Sequence, residues 1–233
     1  MKHDSLLGCK FLQEDQTQKI TYDSVFLSYF VKVKNGSKVI ELGSGMGVVL
    51  ILLKKLYNNF DFTCDGIEIQ NSLHNLALKN ALLNSVDINF YNMDLRKLSK
   101  DFYGKYDTVI ANPPYMKLNN GKISPYKSRD VARREIYGTI QDFIKQASLL
   151  LKNRGKLYMI WRSERLQEAI VYLDFYNLPP KVLKPVYPSE NSDSHVLLIM
   201  AVKNAKKGLK FKKPLYIRKN GNLSDELKEI YSN

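Results

Sequence analysis

The middle of the chain alternates short apolar runs with longer segments in which apolar residues recur at helical spacing. Short apolar runs are typical of buried strands, whereas the longer spacing is typical of helices that bury one face. Their alternation predicts an α/β protein with a mostly parallel sheet and helices on both faces. We predict strands at 38–42, 62–69, 88–91, 106–111 and 156–161, and helices at 46–57, 71–84, 135–152 and 163–176.

Two further apolar runs, at 181–186 and 195–202, have only a turn-forming segment between them. They predict an antiparallel hairpin that closes a sheet of seven strands. Residues 23–32 have the pattern of an additional helix before the first strand. The pattern therefore predicts three parts: an N-terminal segment at 1–34, a main domain at 35–202 and a basic C-terminal extension at 203–233.

The segment between Tyr115 and the helix predicted from residue 135 has no clear period, and it contains Asn-Asn-Gly and Ser-Pro sequences. Loops of this length inside a compact domain are usually functional or mobile. Because it follows the end of a predicted strand, we expect it to form a flap that faces the substrate.

Composition indicates an ordinary globular protein: the chain has 233 residues, of which 44% are apolar and 25% charged. Its apolar stretches are too short to cross a bilayer, and its first residues lack the apolar region of a secretory signal. We therefore predict a cytoplasmic protein without a membrane partner. Cys9 and Cys64 have no metal-ligand spacing with the histidines, so we predict two reduced structural cysteines and no metal site.

The chain is strongly basic, with 36 Lys+Arg against 23 Asp+Glu and a formal charge of +13. Such a charge attracts nucleic acid, although a compositional habit of the source would also enrich lysine. Two clusters of basic residues with few acids, at 117–134 and 203–219, favour binding of nucleic acid over a compositional habit. The cluster at 203–219 has an alternative interpretation as a solvated basic end. We predict that the partner is RNA and that it is bound by Lys117, Lys122, Lys127, Arg129, Arg133, Arg134, Lys206, Lys207, Lys210, Lys212 and Lys213.

A glycine-rich turn, Gly-Ser-Gly-Met-Gly at 43–47, joins the first predicted strand to the next helix. Glycine lets the chain turn sharply and lets a ligand approach the backbone. Glu68, after the second strand, can accept hydrogen bonds from ribose hydroxyls, and Asp94 follows the third strand. A dinucleotide is one interpretation of such a turn. The Glu41 carboxylate would repel a pyrophosphate but would suit an amine and a sulfonium, so we predict S-adenosylmethionine.

The chain leaves the fourth predicted strand through an Asn-Pro-Pro-Tyr sequence. Consecutive prolines can neither extend a strand nor enter a helix interior, so they predict a rigid, exposed turn. The Asn112 side-chain oxygen and the Pro113 carbonyl could accept hydrogen bonds from both hydrogens of a planar aromatic amine and so free its lone pair. The Tyr115 ring could stack on the aromatic ring that carries this amine. An ordinary strand-ending turn is the alternative. The predicted catalytic residues are Asn112, Pro113, Pro114 and Tyr115.

The glycine turn and the Asn-Pro-Pro-Tyr sequence together resemble the class I S-adenosylmethionine-dependent methyltransferases, over residues 22–202. The resemblance implies a Rossmann-like fold in which the acid and glycines hold the methionine part of the cofactor, Glu68 binds ribose and Asp94 contacts the adenine amine. The cofactor-binding residues that it implies are Tyr22, Asp23, Glu41, Gly43, Ser44, Gly45, Gly47, Glu68, Ile69, Asp94, Leu95 and Asn112.

Three of these residues also have structural interpretations. Asp94 fits a helix cap or a loop acid, and Tyr22 fits core packing. Either Asp23 or the neighbouring Thr21 could cap the helix that follows.

A closer resemblance is to bacterial enzymes that methylate the exocyclic amine of the adenosine 3′ of the anticodon in valine tRNA. It rests on segments 20–27, 112–115, 132–135, 196–199 and 214–217, and family members commonly have His in place of Arg134. The resemblance implies a tRNA substrate, S-adenosylhomocysteine as the product, and in-line transfer without a metal or a general base. We predict no obligate protein partner.

Several alternative activities stay open. The same Asn-Pro-Pro-Tyr sequence occurs in enzymes that methylate a glutamine of release factors, adenine in DNA or guanine in ribosomal RNA. The release-factor enzymes carry an N-terminal helical domain and the DNA enzymes usually a large recognition domain, neither of which the pattern predicts here. A non-catalytic RNA-binding protein with a degenerate methyltransferase fold is the remaining alternative.

Overall fold

The structure is a computed structural model, and it describes residues 2–13, 20–114 and 138–232. Strands and helices alternate along the middle of the chain, as the apolar pattern predicts. The helices are α1 (Tyr22–Phe30), α2 (Val48–Leu56), α3 (Asn71–Leu83), α4 (Ile140–Leu150), α5 (Leu166–Phe175) and α6 (Asp225–Ser232). The strands are β1 (Lys2–Leu6), β2 (Cys9–Gln13), β3 (Lys38–Leu42), β4 (Thr63–Glu68), β5 (Asn89–Asn92), β6 (Tyr106–Ala111), β7 (Leu151–Arg162), β8 (Pro180–Tyr187), β9 (Val196–Val202), β10 (Lys210–Phe211), β11 (Leu215–Tyr216), β12 (Arg218–Lys219) and β13 (Asn222–Leu223).

The main sheet has nine strands within the described ranges, in the order β10-β8-β9-β7-β6-β3-β4-β5, with β11 also paired to β8. Strands β3 to β7 are parallel, β9 runs antiparallel to β7, and β8 antiparallel to β9. The predicted mostly parallel sheet with a final antiparallel hairpin is therefore confirmed. The two strands beyond the predicted seven are β10 and β11, which are too short to produce a periodic signal.

Apolar side chains fill both faces of the sheet because successive strand residues point to opposite sides. On one side, called here the α1 face, Ile110 and Ile160 pack with α1, α2, α3 and α6. On the other, the α4 face, Val109 and Met159 pack with α4 and α5. No helix within the described ranges is long and apolar enough to cross a membrane.

The largest differences from the predicted boundaries are at helix α4 and strand β7. Helix α4 begins at Ile140 because Thr139 and Asp142 form a reciprocal cap, in which each side chain accepts the other's backbone N–H. The helix ends at Leu150, and β7 starts at the next residue, so this strand extends well before the predicted start at residue 156.

Strands β1 and β2 form an antiparallel hairpin that the apolar pattern did not predict. Two asparagines, Asn80 of α3 and Asn84 just after its end, bind the second strand of this hairpin: Asn80 Oδ1 accepts the Leu12 N–H at 2.7 Å, and Asn84 Oδ1 accepts the Lys10 N–H at 2.9 Å. The Asn80 amide also donates to the carbonyl of Met46, at 3.1 Å. This one side chain therefore links the hairpin to the glycine-rich turn.

The C-terminal segment packs onto the sheet and onto α1. Strands β10 and β11 pair with β8, and Leu227 and Ile230 of α6 are buried in the core of the α1 face. Tyr29 of α1 donates its hydroxyl to the Ile230 carbonyl at 2.6 Å. The half-buried Lys203 donates to the carbonyls of Ser148 and Leu151 near the end of α4, at 2.5 and 2.8 Å. Lys203, the first residue of the basic C-terminal extension, therefore stabilises a helix end.

Candidate active site

The carboxyl ends of the central parallel strands meet at one edge of the sheet, called here the carboxyl edge. Leu42, the last residue of β3, pairs with Ala111 of β6 and with Ile67 of β4, and Glu68 pairs with Asn92 of β5. The glycine turn, Glu68, the segment after β5 and the Asn-Pro-Pro sequence therefore leave neighbouring strands side by side. In open α/β sheets, ligands bind at such an edge.

The glycine turn is held by backbone hydrogen bonds to the next strand. The N–H groups of Gly43 and Ser44 both donate to the Ile67 carbonyl, at 2.8 and 2.9 Å. Gly47 has a φ of 84°, and a Cβ there would lie 2.9 Å from the Phe90 ring. Gly45 also has a positive φ, 55°, but a Cβ there would meet no atom within 4 Å. Gly45 is thus the point at which a ligand can approach the backbone.

Glu41 is a buried carboxylate with an unsatisfied oxygen. Glu41 is the second-last residue of β3 and only 2% exposed, and its Oε2 atom has no hydrogen-bond partner in the described structure. Burial, followed by the nearby negative charge of Glu68, raises the pKa of Glu41 well above its ordinary value. The buried Ser44 Oγ also lacks a partner there. Two orphaned oxygens beside an open glycine backbone fit a ligand that carries positive charge and hydrogen-bond donors.

Glu68 connects the ends of two strands through its carboxylate. Oε2 accepts the Gly45 N–H and Oε1 accepts the Gln70 N–H, both at 2.8 Å. Burial raises the pKa of Glu68, while these two hydrogen bonds oppose the rise. Each carboxylate oxygen has more than one lone pair, so Glu68 can hold the glycine turn and still accept from a hydroxyl of a ligand.

Asp94 makes contacts that match the structural interpretation of this residue. Its side chain caps a short 3₁₀ turn (Leu95–Lys97) by accepting the Arg96 N–H at 2.9 Å, and it pairs with the Arg96 guanidinium at 2.7 Å. The hydrogen bonds from Arg96 lower the pKa of Asp94. Leu95 is buried beneath it. Contact of Asp94 with an adenine amine stays a prediction.

Asn92 contributes to the site without having been predicted. Its amide donates to the carbonyls of Glu68 and Ile69, at 2.8 and 3.1 Å, and so joins the end of β5 to the half-buried segment after β4. An asparagine at a strand end gives only a weak sequence signal, because the same residue is common in simple turns.

The Asn-Pro-Pro sequence begins directly after β6. Asn112 and Pro114 are half-buried and Pro113 is buried. Pairing of Leu42 with Ala111 places Asn112 next to Gly43 across the edge. Tyr115 and the predicted RNA-binding residues of the following loop lie outside the described residues: Lys117, Lys122, Lys127, Arg129, Arg133 and Arg134.

Helix α1 begins near the carboxyl edge. Tyr57, which follows α2 at the far edge, donates its hydroxyl to the carbonyl of Val31, just past the end of α1. The opposite end of α1, with Tyr22 and Asp23, therefore lies toward the carboxyl edge. Tyr22 is 49% exposed and stacks on Phe26, so it takes part in packing and also presents a ring surface to solvent. Thr21 makes no side-chain cap, and the cofactor roles of Tyr22 and Asp23 stay predictions.

The predicted RNA-binding lysines of the C-terminal segment are all exposed, but some lie far from the carboxyl edge. Strand β8 starts at the opposite edge, and β10 pairs with its first half. Lys207 forms an ion pair with Asp174 at the end of α5, at 2.7 Å. The exposed lysines are Lys206, Lys207, Lys210, Lys212 and Lys213.

Comparison with known proteins indicates a methyltransferase. The model of the methyltransferase small domain family matches residues 17–178. A tRNA1(Val) (adenine(37)-N6)-methyltransferase of Trichodesmium erythraeum is 25% identical over 179 residues, which cover 75% of this chain and 74% of that one. A release factor glutamine methyltransferase of Flavobacterium psychrophilum is 26% identical, over 63% of this chain and 53% of that one.

The fold is also found among solved structures. A crystal structure of a predicted O-methyltransferase from Agrobacterium tumefaciens superimposes with a TM-score of 0.72 at 18% sequence identity, covering 90% of this chain and 95% of that one. This likeness confirms the predicted Rossmann-like fold.

Proposed function

Since this chain belongs to the methyltransferase small domain family, we propose that it transfers a methyl group from S-adenosylmethionine to the N6 atom of an adenosine in tRNA. The proposed target is position 37, next to the anticodon of valine tRNA, as in the name of the Trichodesmium relative. The observation that carries the proposal is the position of Asn112 and its two prolines, one strand away from the glycine turn.

The residues at the carboxyl edge fit the proposed cofactor. The sulfonium of S-adenosylmethionine supplies the electrophilic methyl group. The buried, unpartnered Glu41 oxygen would be stabilised by positive charge, and the open backbone at Gly45 leaves room for a ligand. Glu68 retains lone pairs for ribose hydroxyls, and the half-buried Ile69 next to it offers an apolar surface for a base.

The Asn-Pro-Pro-Tyr sequence would bind the acceptor amine. The Asn112 side-chain oxygen and the Pro113 carbonyl are acceptors for the two amine hydrogens, and holding both directs the nitrogen lone pair toward the glycine turn. Stacking on Tyr115 would fix the plane of the base, a contact worth about 1–3 kcal/mol. Alignment of the amine with the methyl group provides most of the rate enhancement. The amine becomes acidic only once it is methylated, so it loses its proton to solvent after transfer and needs no general base before it.

An RNA substrate is supported by charge and by the relatives. The net charge of +13 favours a polyanion over a neutral protein loop. The anticodon loop exposes single-stranded bases, which a protein can splay out and bind by stacking. The similarity to a release factor glutamine methyltransferase supports methylation of a glutamine side chain as a second candidate function, because a glutamine amide has a similar planar nitrogen.

Methylation of defined substrates tests the proposal. The purified protein would be incubated with isotopically labelled S-adenosylmethionine and unmodified valine tRNA, and the digested nucleosides would be analysed by mass spectrometry. We expect label in N6-methyladenosine, and none when position 37 carries guanosine. Label in a release factor but not in tRNA would replace the proposal with the glutamine activity. Binding of S-adenosylmethionine without transfer to either would remove both.

A further inference from the structure

Arg162 and His195 contact each other at the carboxyl edge, and the chemistry described above uses neither. Arg162 ends β7, and it pairs in the sheet with Val196, the residue after His195. Nη1 of the guanidinium lies 2.5 Å from Nε2 and 3.1 Å from Nδ1 of the imidazole. Arg162 is half-buried and His195 exposed, so the pair is open to solvent on one side.

The sheet places this pair close to the acceptor position. In the parallel pair of β6 and β7, Ala111 lies opposite Met159, so Asn112 and Arg162 lie one and three residues beyond that level. Ile160 packs on the α1 face, and strand alternation puts the side chain of Arg162 on the same face. Asn112 directly follows β6, whose residue Ile110 packs on that face. Two residues along a strand and the spacing between adjacent strands together correspond to about 8 Å, comparable with the separation of a base from its own phosphate.

The chemistry of the pair suits a phosphate group. A guanidinium can only donate hydrogen bonds, so the imidazole nitrogen that it faces accepts in this geometry. Its planar fork of N–H donors matches two oxygens of one phosphate, and a neighbouring group that fixes the plane reduces the entropy lost on binding. Next to the pair, the Ser163 and Ser194 hydroxyls lie 2.7 Å apart and provide further polar contacts.

We propose that Arg162, oriented by His195, binds a backbone phosphate of the substrate next to the methylated nucleotide. This proposal rests on the proposed function, because it requires a nucleic-acid acceptor. Arg162 is a binding residue and His195 a positioning residue. The site distinguishes RNA from a glutamine side chain, since only the former presents a phosphodiester beside the planar amine.

The salt dependence of RNA binding tests this site directly. Arg162→Gln and the matched control Arg154→Gln remove the same charge from opposite ends of β7, and Arg154 is exposed. The probe is the anticodon stem-loop of valine tRNA, with affinity measured over a range of salt concentrations. Loss of one phosphate contact in Arg162→Gln should lower the slope of log affinity against log salt by about 0.7–0.9. Its affinity should fall roughly tenfold, the size of one charge-assisted hydrogen bond, while Arg154→Gln retains the wild-type slope.

Variants of His195 separate positioning from general stability. His195→Ala should raise the KM for RNA without changing kcat, and it should add nothing in the Arg162→Gln background. His195→Asn, which keeps a side-chain acceptor, should recover part of the affinity. Affinity for S-adenosylmethionine should be unchanged in every variant.

Three results would overturn the phosphate site: equal slopes for Arg162→Gln and Arg154→Gln, additive effects of the Arg162 and His195 changes, or an equal loss of RNA and cofactor affinity. Failure of the proposed function has a different signature. In that case wild-type protein would bind the stem-loop with an Arg162-dependent slope and yet transfer no methyl group to it. An absence of RNA binding by the wild type would overturn both proposals.

Discussion

Glu68 accepts the backbone N–H of Gly45 through Oε2 at 2.8 Å, and so it links the end of β4 to the glycine turn that follows β3. The contact explains how the turn keeps its shape at Gly45, where the space that a Cβ would face is open. One carboxylate thus has two tasks: it shapes the turn and leaves acceptor capacity for a ligand.

Glu68→Gln should weaken S-adenosylmethionine binding by about 10- to 100-fold, because an amide has one acceptor oxygen where the carboxylate has two. Isothermal titration calorimetry measures this change. Asp65→Asn is the matched control on the same strand, since Asp65 accepts from the Tyr106 hydroxyl and from Asn89 instead. The control should lose some stability and keep its cofactor affinity. Equal affinities for the two variants would contradict the role of Glu68.

Glu41 should make the stability of the ligand-free protein dependent on pH. Its pKa in the folded protein is raised above the ordinary value of 4.5. Such a group stabilises the folded protein fully at pH values below its pKa in the unfolded chain. This stabilisation is lost as the pH rises through its pKa in the folded protein. Glu41→Gln removes this contribution. We therefore expect the melting temperature of the wild type to fall relative to Glu41→Gln as pH increases from 4.5 upward, in thermal unfolding of both proteins. A difference that is constant with pH would refute this prediction.

The same carboxyl group should make cofactor affinity depend on pH in the opposite direction. A cationic ligand favours the ionised form, so S-adenosylmethionine should bind more tightly as pH rises and should release a proton on binding. Calorimetry in buffers of different ionisation enthalpy measures the proton released. Glu41→Gln should bind more weakly at alkaline pH and release none from this position. Proton release of equal size in both proteins would assign the effect to another group.

Asn112→Ala should retain cofactor binding and lose about 100-fold or more in kcat, because the variant leaves one amine hydrogen without its acceptor in the transition state. Single-turnover kinetics and cofactor titration measure the two effects separately. Asn75→Ala, an exposed asparagine of α3, is the control and should have neither effect. Parallel loss of cofactor affinity and turnover in Asn112→Ala would assign this residue to cofactor binding alone.

Leu227→Ala should lower the free energy of unfolding by about 2–5 kcal/mol, because it leaves a cavity at a fully buried position between α6 and the core of the α1 face. Urea denaturation measures the loss. Leu223 is 39% exposed, so Leu223→Ala is a control that should cost much less. Similar losses in the two variants would mean that α6 does not pack as described.

The fold was predictable where the apolar pattern was long and regular. The central parallel strands of the sheet and the helices between them follow that pattern, because burial on both faces requires continuous apolar runs. Strands β10 and β11 were missed since each has two residues and is stabilised by pairing with β8 rather than by its own pattern. The N-terminal hairpin was missed because its docking depends on Asn80 and Asn84, polar residues in and just after α3 that give no sign of a distant partner.

The candidate site was predictable for residues whose chemistry is specific to a position. Glycines with positive φ, the buried Glu41 and Glu68 at a strand end were all identifiable from the sequence and lie together at the carboxyl edge. Asn92 and the pair of Arg162 with His195 were not, because their roles depend on strand register. Residues 33 positions apart become neighbours only when β7 and β9 align.

The packing of the C-terminal segment has a consequence for synthesis of the protein. The apolar face of α1 is completed by Leu215, Leu227 and Ile230, and the Tyr29 hydroxyl donates to the Ile230 carbonyl; these residues are translated after every residue of the candidate active site. A nascent chain therefore emerges from the ribosome with α1 only partly covered until α6 has been made. Termination of translation before Leu215 would leave every residue of the candidate active site in place and yet yield a protein prone to aggregation and degradation.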